Sequence, residues 1–379
     1  MEKRMLPYGQ QWIDEEDINE VAKVLRNDWL TTGPKVSEFE EAICNYVGCK
    51  YGIAVNSGTS ALDIALASLE IKEGEVITTP FSFVATTNCI LYNHLKPVFA
   101  DIERDTRNIA VDEIKKRITK KSKAIVYVDY AGQPCDIEDI EKIAREHNLL
   151  LIEDAAHSLG AEYNGKKTGN FADITTFSFH PVKHITTGEG GACVTNNEEI
   201  AEKMRMLRNH GIDKTVKQRM ELKSWEYNIK YLGRNYRITD FQCALGISQL
   251  KKLDSFIEKR TRIASRYNEA FRDTKEIITP ITKNKIKHAW HIYTILLKGI
   301  DRNKFFDEMR KLNIGVNVHY TPIYHFSYFK KMFSINKAEF PVTEDIFDRI
   351  ITLPLFPKMS NQDIDRVINS TLEVIGRLK

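Results

Sequence analysis

The sequence predicts an α/β fold: one large, mostly parallel sheet covered by helices, followed by a smaller α+β domain. From about residue 50 to residue 200, short apolar runs alternate with helical patterns. Several of those runs are apolar on both faces, as strands buried under helices on each side must be. After residue 240 the alternation stops and longer amphipathic segments take over. The 379 residues therefore read as an N-terminal arm over 1–35, a large domain over 36–245 and a small domain over 246–379.

In chain order, strands are expected at 51–56, 75–79, 97–102, 124–128, 149–153, 175–179 and 192–195. Helices fit between them at 60–69, 85–92, 137–146 and 198–208. Strand ends run into Gly, Ser, Asp or Pro, which turn the chain toward the next helix. Residues 241–271 read as one long helix, with apolar Leu245, Leu250, Leu253, Phe256 and Ile257. A strand at 291–297, a helix at 303–312, an aromatic-rich loop from His319 and a final helix at 361–378 make up the small domain.

Composition excludes several classes. With 42% hydrophobic and 28% charged residues the chain is neither disordered nor low in complexity. A net charge of +3, from 55 basic and 52 acidic residues, gives no bulk attraction to nucleic acid or an acidic membrane. The densest basic stretch, 115–123, reads as a solvated face. No apolar run reaches the roughly 18 residues of a membrane span, and the first residues lack the apolar core of a signal peptide. Six cysteines without a CxxC pair suggest neither zinc nor a disulfide framework, and no clustered ligand spacing supports a metal site. Reduced thiols in a cytoplasmic enzyme is the simplest reading.

Ligands of open α/β sheets sit beyond the carboxyl ends of the strands, so the residues that close strands are the candidates. In Asn56-Ser-Gly-Thr-Ser60, Gly58 permits a tight backbone, and Thr59 and Ser60 add hydroxyls to the free N–H groups of a helix N-terminus. That suits a phosphate and is equally an ordinary helix cap. The fingerprints GxGxxG and GxxxxGK[ST] are absent. Glu153 and Asp154 close an apolar strand and bring at least one carboxylate to the ligand edge, unless they cap a helix or form a structural ion pair. Lys183 follows a strand, between Pro181 and Thr186-Thr-Gly-Glu-Gly-Gly191. A lysine held there stays partly desolvated, which lowers its pKa and frees the amine to attack a carbonyl. Phosphate cradle, acid and lysine at strand ends are together what a pyridoxal 5'-phosphate enzyme needs: an anchor, a partner for the pyridine nitrogen, and a covalent attachment.

Asn56-Ser-Gly-Thr-Ser-Ala-Leu62, Pro80-Phe-Ser-Phe-Val-Ala-Thr86, Glu153-Asp-Ala-Ala-His157, Lys183 with its glycine-rich turn, and Gly233-Arg-Asn-Tyr-Arg237 resemble the DegT/DnrJ/EryC1/StrS sugar aminotransferases. The resemblance runs from about Leu6 to the C-terminus and implies a fold-type-I pyridoxal phosphate transferase. It implies that Lys183 carries the cofactor, Asp154 pairs with the pyridine nitrogen and Phe83 stacks on the ring. By the same resemblance Gly58, Thr59, Ser60 and Ser178 hold the phosphate, His157 meets the ring hydroxyl, and Asn235 reaches in from a neighbouring subunit. The protein is then a homodimer with shared sites. Three positions depart from the common pattern: His157 stands for Gln, Arg234 for Tyr, and His184 for Asn or Pro. None removes a group the reaction needs, and the intact Lys183 disfavours the sugar dehydratase branch, where His replaces it.

Phe179-His-Pro-Val-Lys-His-Ile-Thr-Thr187, Val128-Asp-Tyr-Ala-Gly132, Ala244-Leu-Gly-Ile-Ser-Gln-Leu250 and Val318-His-Tyr-Thr-Pro-Ile-Tyr324 are similar to the branch serving pseudaminic acid synthesis. That similarity implies transfer of an amino group from L-glutamate to C4 of a UDP-linked 4-keto-6-deoxy-N-acetylhexosamine. Other nucleotide-linked 3-keto or 4-keto sugars, a dehydratase and a non-catalytic sensor are the alternatives. The resemblance also points to Tyr8, Asp28, Thr31, His319 and Tyr320 as substrate contacts. Phe326, Tyr328 and Phe329 read as packing of the small domain, and Trp290 and His291 as structural residues of a strand.

Overall fold

The structure, a computed structural model, describes residues 4–27, 29–214 and 216–379. Asp28 lies outside the described residues. The expected strands are present as β1 (Tyr51–Val55), β2 (Glu75–Thr78), β3 (Lys96–Phe99), β4 (Ser122–Val128), β5 (Leu150–Asp154), β6 (Ile174–Ser178) and β7 (Gly191–Thr195). They form one sheet in the order β1-β7-β6-β5-β4-β2-β3. The pairs β2–β3, β2–β4, β4–β5 and β5–β6 are parallel. Strand β7 alone runs antiparallel to both its neighbours, β1 and β6. The cause is the connection. A parallel return needs a crossover, usually through a helix, whereas the short segment 179–190 can only fold back.

Side chains alternate across the sheet as the double covering requires. Ile53 and Val55 face one core with helix Gly58–Ser68, whereas Ala54 faces the other with Phe39, Ile43 and Val47 of helix Pro34–Val47. A second core gathers on the antiparallel strands Ile277–Ile278, Tyr293–Leu297 and Ile350–Leu353, with Tyr267, Phe305, Val367 and Val374 from the surrounding helices. Leu6 joins this core, and the Leu355 N–H donates to the Tyr8 carbonyl, so the N-terminal segment is stitched to it.

Two expectations need correction. The single helix over 241–271 is two, Asp240–Leu250 and Leu253–Phe271. The first packs on helices Glu15–Leu25 and Pro34–Val47 beside the large sheet, while the second runs on into the other core. At the break Lys252 reaches back, its Nζ 2.5 Å from Asp14 and 2.9 Å from the fully buried Asp17. The apolar period continues through the break without Gly or Pro, so the pattern carries no mark of it. The sequence reading also leaves helix Pro341–Arg349 and strand Ile350–Leu353 unassigned. Among the described residues, no helix is long and apolar enough to cross a membrane.

Gly191, at the head of β7, tests how tightly the ligand edge is built. A Cβ there would lie 2.4 Å from the Ser57 carbonyl oxygen and 2.8 Å from the Gly58 nitrogen, all backbone. Gly191→Ala is expected to destabilise the protein by about 1–3 kcal/mol, the usual cost of overpacking. Urea denaturation checks this, and an unchanged midpoint would contradict the close approach.

Candidate active site

At the carboxyl edge of the sheet the two cores enclose a cleft of about 630 Å³. One end is the start of helix Gly58–Ser68. Ser57 caps it, its Oγ accepting from the Ser60 N–H at 3.0 Å, and the Ala61 N–H goes to the Ser57 carbonyl. The N–H groups of Gly58 and Thr59 have no acceptor among the described residues, which is the arrangement an anion completes. Gly58 is required because its Cβ would sit 2.8 Å from that of Ser178, whose hydroxyl shares this end. Ser60 differs from expectation. It is buried and its hydroxyl donates to Asn56 Oδ1 at 2.6 Å, so Ser57 lines the cleft in its place.

The floor carries the acid. Asp154 closes β5, buried, with one oxygen accepting from Thr86 Oγ1 at 2.8 Å and the other from the Ala156 N–H at 3.3 Å. Burial raises its pKa, and those two hydrogen bonds and the charge of Lys183 oppose the rise. Glu153, one residue earlier, points through the opposite face of the sheet to Thr175 Oγ1 (2.7 Å) and the Gly169 N–H (3.1 Å). Strand alternation thus separates the two acids, and only Asp154 lines the cleft.

Lys183 rises from the 179–190 return, where its own N–H donates to the His180 carbonyl at 2.8 Å. Burial pushes its pKa down to about 8, against the upward pull of Asp154. Its Nζ lies 3.4 Å from His291 Nε2. His157 accepts the Ala131 N–H on Nδ1 (3.3 Å); the neutral ring therefore carries its proton on Nε2 and donates it to Tyr320 Oη at 3.0 Å. His319 Nδ1 meets Thr352 Oγ1 at 2.8 Å, and its carbonyl accepts from the Tyr130 hydroxyl. Tyr8 packs on the His319 ring, and Phe83, 59% exposed, stands free at the mouth as an aromatic face without a protein partner stacked on it.

The cleft therefore collects Tyr8, Gly58, Thr59, Phe83, Asp154, His157, Ser178, Lys183, His319 and Tyr320. Thr31 and Asn235 are elsewhere: Thr31 pairs with Thr239 and Asn235 with Asn209 through backbone bridges. Sequence reasoning missed Ser57, Thr86, Phe326 and above all His291. His291 reads as the start of a strand, yet it precedes strand Tyr293–Leu297 and turns its ring onto Lys183. Phe326, expected as packing, is 42% exposed at the rim.

The site also sets a pH dependence. His157, His184, His288, His291 and His319 are buried, and burial holds all five pKa values far below 6.5, His288 and His319 at about 3. The unfolded chain takes up their protons as pH drops below about 6.5 while the folded one refuses them. Each then removes up to about 1.4 kcal/mol of stability per pH unit. Glu103, Asp129, Glu153 and Asp154 have raised pKa values and act in the opposite sense, but they are fewer than the five histidines. The urea midpoint is expected to fall between pH 7 and 5.5, and a flat or rising midpoint would contradict the neutral histidine cluster.

Residues 11–372 match the DegT/DnrJ/EryC1/StrS aminotransferase family. An uncharacterized protein of Methanocaldococcus jannaschii, MJ1066, is 46% identical over 98% of both chains. The UDP-4-amino-4,6-dideoxy-N-acetyl-beta-L-altrosamine transaminase of Campylobacter jejuni is 40% identical over 99% of both. Among solved structures, Helicobacter pylori PseC, an aminotransferase involved in pseudaminic acid biosynthesis, superimposes with a TM-score of 0.92. It is 35% identical, over 99% of this chain and 100% of that one. The cofactor of the family, pyridoxal 5'-phosphate, fits what is present: an anion-binding helix end that a Cβ would fill, a buried acid, and a lysine of lowered pKa. This chain belongs to the DegT/DnrJ/EryC1/StrS family, as a sugar aminotransferase dependent on pyridoxal 5'-phosphate.

Proposed function

We propose that the enzyme moves an amino group from L-glutamate to C4 of a UDP-linked 4-keto-6-deoxy-N-acetylhexosamine. The observation that carries this is the cleft itself, lined together by Lys183, the buried Asp154 and the free helix N-terminus, in a chain resembling the Campylobacter and Helicobacter enzymes over its length. Lys183 bears the cofactor. When bound, that cofactor supplies the electron sink and carries the amino group between the two substrates. Lys183 Nζ, with a pKa of about 8, can hold a proton and give it up near neutral pH, as a group moving a proton to and from a substrate carbon must. Asp154, kept dry and fixed by Thr86, would pair with the pyridine nitrogen and keep it protonated, and Glu153, on the other face of the sheet, would have no part in this. Gly58, Thr59 and Ser178 would hold the phosphate, Phe83 would stack on the ring, and His157 would meet the ring hydroxyl. Tyr8, His319 and Tyr320 read the sugar from the small-domain side.

On this reading the division into an arm (1–35), a large domain (36–245) and a small domain (246–379) places the cleft between large and small domains. The six cysteines are all free thiols, in keeping with the reducing cytoplasm as the place of work.

A second copy of the chain completes the site. Lys183 is the one lysine or arginine among the described residues lining the cleft, too little positive charge for a cofactor phosphate and a sugar diphosphate together. Just before Asn235, Trp225 is 83% exposed and Leu232 89%, with Tyr227 and Ile229 half exposed between them. An apolar run standing in solvent beside a basic Arg234-Asn-Tyr-Arg237 segment is what a partner surface covers.

Two experiments test these proposals. Glutamate alone is expected to bleach the yellow bound cofactor to its pyridoxamine form, and the UDP-linked 4-keto sugar to restore it. A panel including GDP-, dTDP- and 3-keto sugars decides the acceptor, and faster restoration by any of those overturns the sugar named here. For shared sites, mixing Asn235→Ala chains with Lys183→Ala chains is expected to restore activity. One site of each mixed dimer then carries neither lesion. No recovery from a mixture shown to exchange subunits would place Asn235 within its own protomer.

A further inference from the structure

Beneath the lysine turn lies a charge that the reaction as described does not use. Arg260, in helix Leu253–Phe271, is 1% exposed, among the largest side chains the protein buries completely. No acidic group pairs with it among the described residues. Instead its Nη1 lies 3.2 Å from the Trp290 carbonyl oxygen, 3.1 Å from that of His291 and 3.2 Å from that of Leu355. Its Nη2 lies 3.3 Å from the carbonyl oxygen of Lys183. Nε has no partner.

An unpaired buried cation is costly, and a structural tie between backbone segments would be built more cheaply from neutral groups. The choice of carbonyls is informative. Two belong to the residues whose side chains meet at 3.4 Å in the cleft, Lys183 from the large domain and His291 from the small one. We propose that Arg260 is a positioning residue for Lys183, its guanidinium fixing the main chain at 183 and at 290–291 so that amine and imidazole meet in the closed cleft. The planar fork suits the task, because several donors held in one rigid plane fix several acceptors at once.

Two consequences follow. The groups that face the Lys183 amine are Asp154 from β5, His157 from the turn after it, and His291 and His319 from the small-domain side, with His184 beside it in its own turn. Arg260 lies close enough to His184 and His291 to help keep both uncharged, so that they do not compete for the proton of Lys183. A turn held down also keeps the amine dry, and dryness is what lowers its pKa.

The inference rests on Lys183 being the cofactor lysine, so the probe is pyridoxal 5'-phosphate alone, added to apoprotein, with the rate of covalent attachment followed by absorbance against pH. Attachment needs the neutral amine, so in the natural chain the rate is expected to rise through a midpoint near 8. Arg260→Met keeps the bulk and removes every donor. It is expected to slow attachment by about tenfold to a hundredfold, as a displacement of about 1 Å does, and to move the midpoint upward as water reaches the amine. Arg260→Lys keeps the charge and the stem but cannot span three segments; it is expected to slow attachment with a smaller rise in midpoint, and it decides the matter if Arg260→Met does not fold. A folded variant attaching at the natural rate with its midpoint near 8 would reduce Arg260 to structural glue, whatever its melting temperature. Attachment as fast to Lys183→Ala as to the natural chain would instead strike the assignment of Lys183 and leave Arg260 without a client.

Discussion

The short return between β6 and β7 is the constraint on which the rest of the site depends. Every other internal connection of the sheet spends residues on a helix or a long loop and comes back parallel. Segment 179–190 cannot, and its hydrogen bonds fold it onto itself: Phe179 N–H to Gly190, Thr187 N–H and Thr186 Oγ1 to Phe179. That turn stands at the carboxyl edge, beside the ends of β5 and β1. Lys183, Asp154 and the Ser57–Gly58 cap are therefore neighbours by topology, before any side chain chooses a rotamer.

Electrostatics then follow from dryness. The second core, on the smaller antiparallel sheet, closes over the edge, and what it covers is shifted away from charge: histidines downward, carboxyls upward, the lysine downward. Arg260 is shifted the same way, down to about 9 by burial, yet it keeps its charge at neutral pH and is satisfied by carbonyl dipoles. A site of this kind starts near neutrality and keeps one titrating amine within reach of physiological pH. An acid pair, Glu153 with Asp129, sits behind the sheet under the same rule, both pushed upward by burial. Asp129 accepts from the Cys135 N–H and Ser158 Oγ, and Glu153 Oε2 from Thr175 Oγ1 and the Gly169 N–H, which leaves the front face to Asp154.

The large sheet was legible because each strand is a short apolar run ending in a turn residue, and burial on both faces leaves little room for another reading. The lysine was legible for a related reason: a charged residue between Pro181 and a glycine-rich turn has no exposed helix to ride on. The break at Lys251–Lys252 was not, since it is fixed by what each half packs against, and the apolar period is indifferent to that. Nor was His291, because its approach to Lys183 is made across 108 positions of sequence by a backbone that Arg260 ties down. Ser57 and Ser60 could not be told apart from sequence. Either hydroxyl suits the helix start, and only the bonds of the fold decide: Ser57 caps it and lines the cleft, while Ser60 turns inward to Ser57 and, at 2.6 Å, to Asn56. Asn235 lies outside the cleft of its own chain, held instead by a backbone bridge to Asn209, a placement its neighbours in sequence do not mark.

The central claim is that this topology makes Lys183, among all the lysines of the chain, the one that binds the cofactor covalently. Borohydride reduction of the holoenzyme followed by peptide mapping tests it most directly. The account predicts a single reduced pyridoxyl adduct, on the peptide spanning the β6–β7 return and at Lys183 within it. An adduct on any other lysine, or a cofactor released intact after reduction, would contradict it.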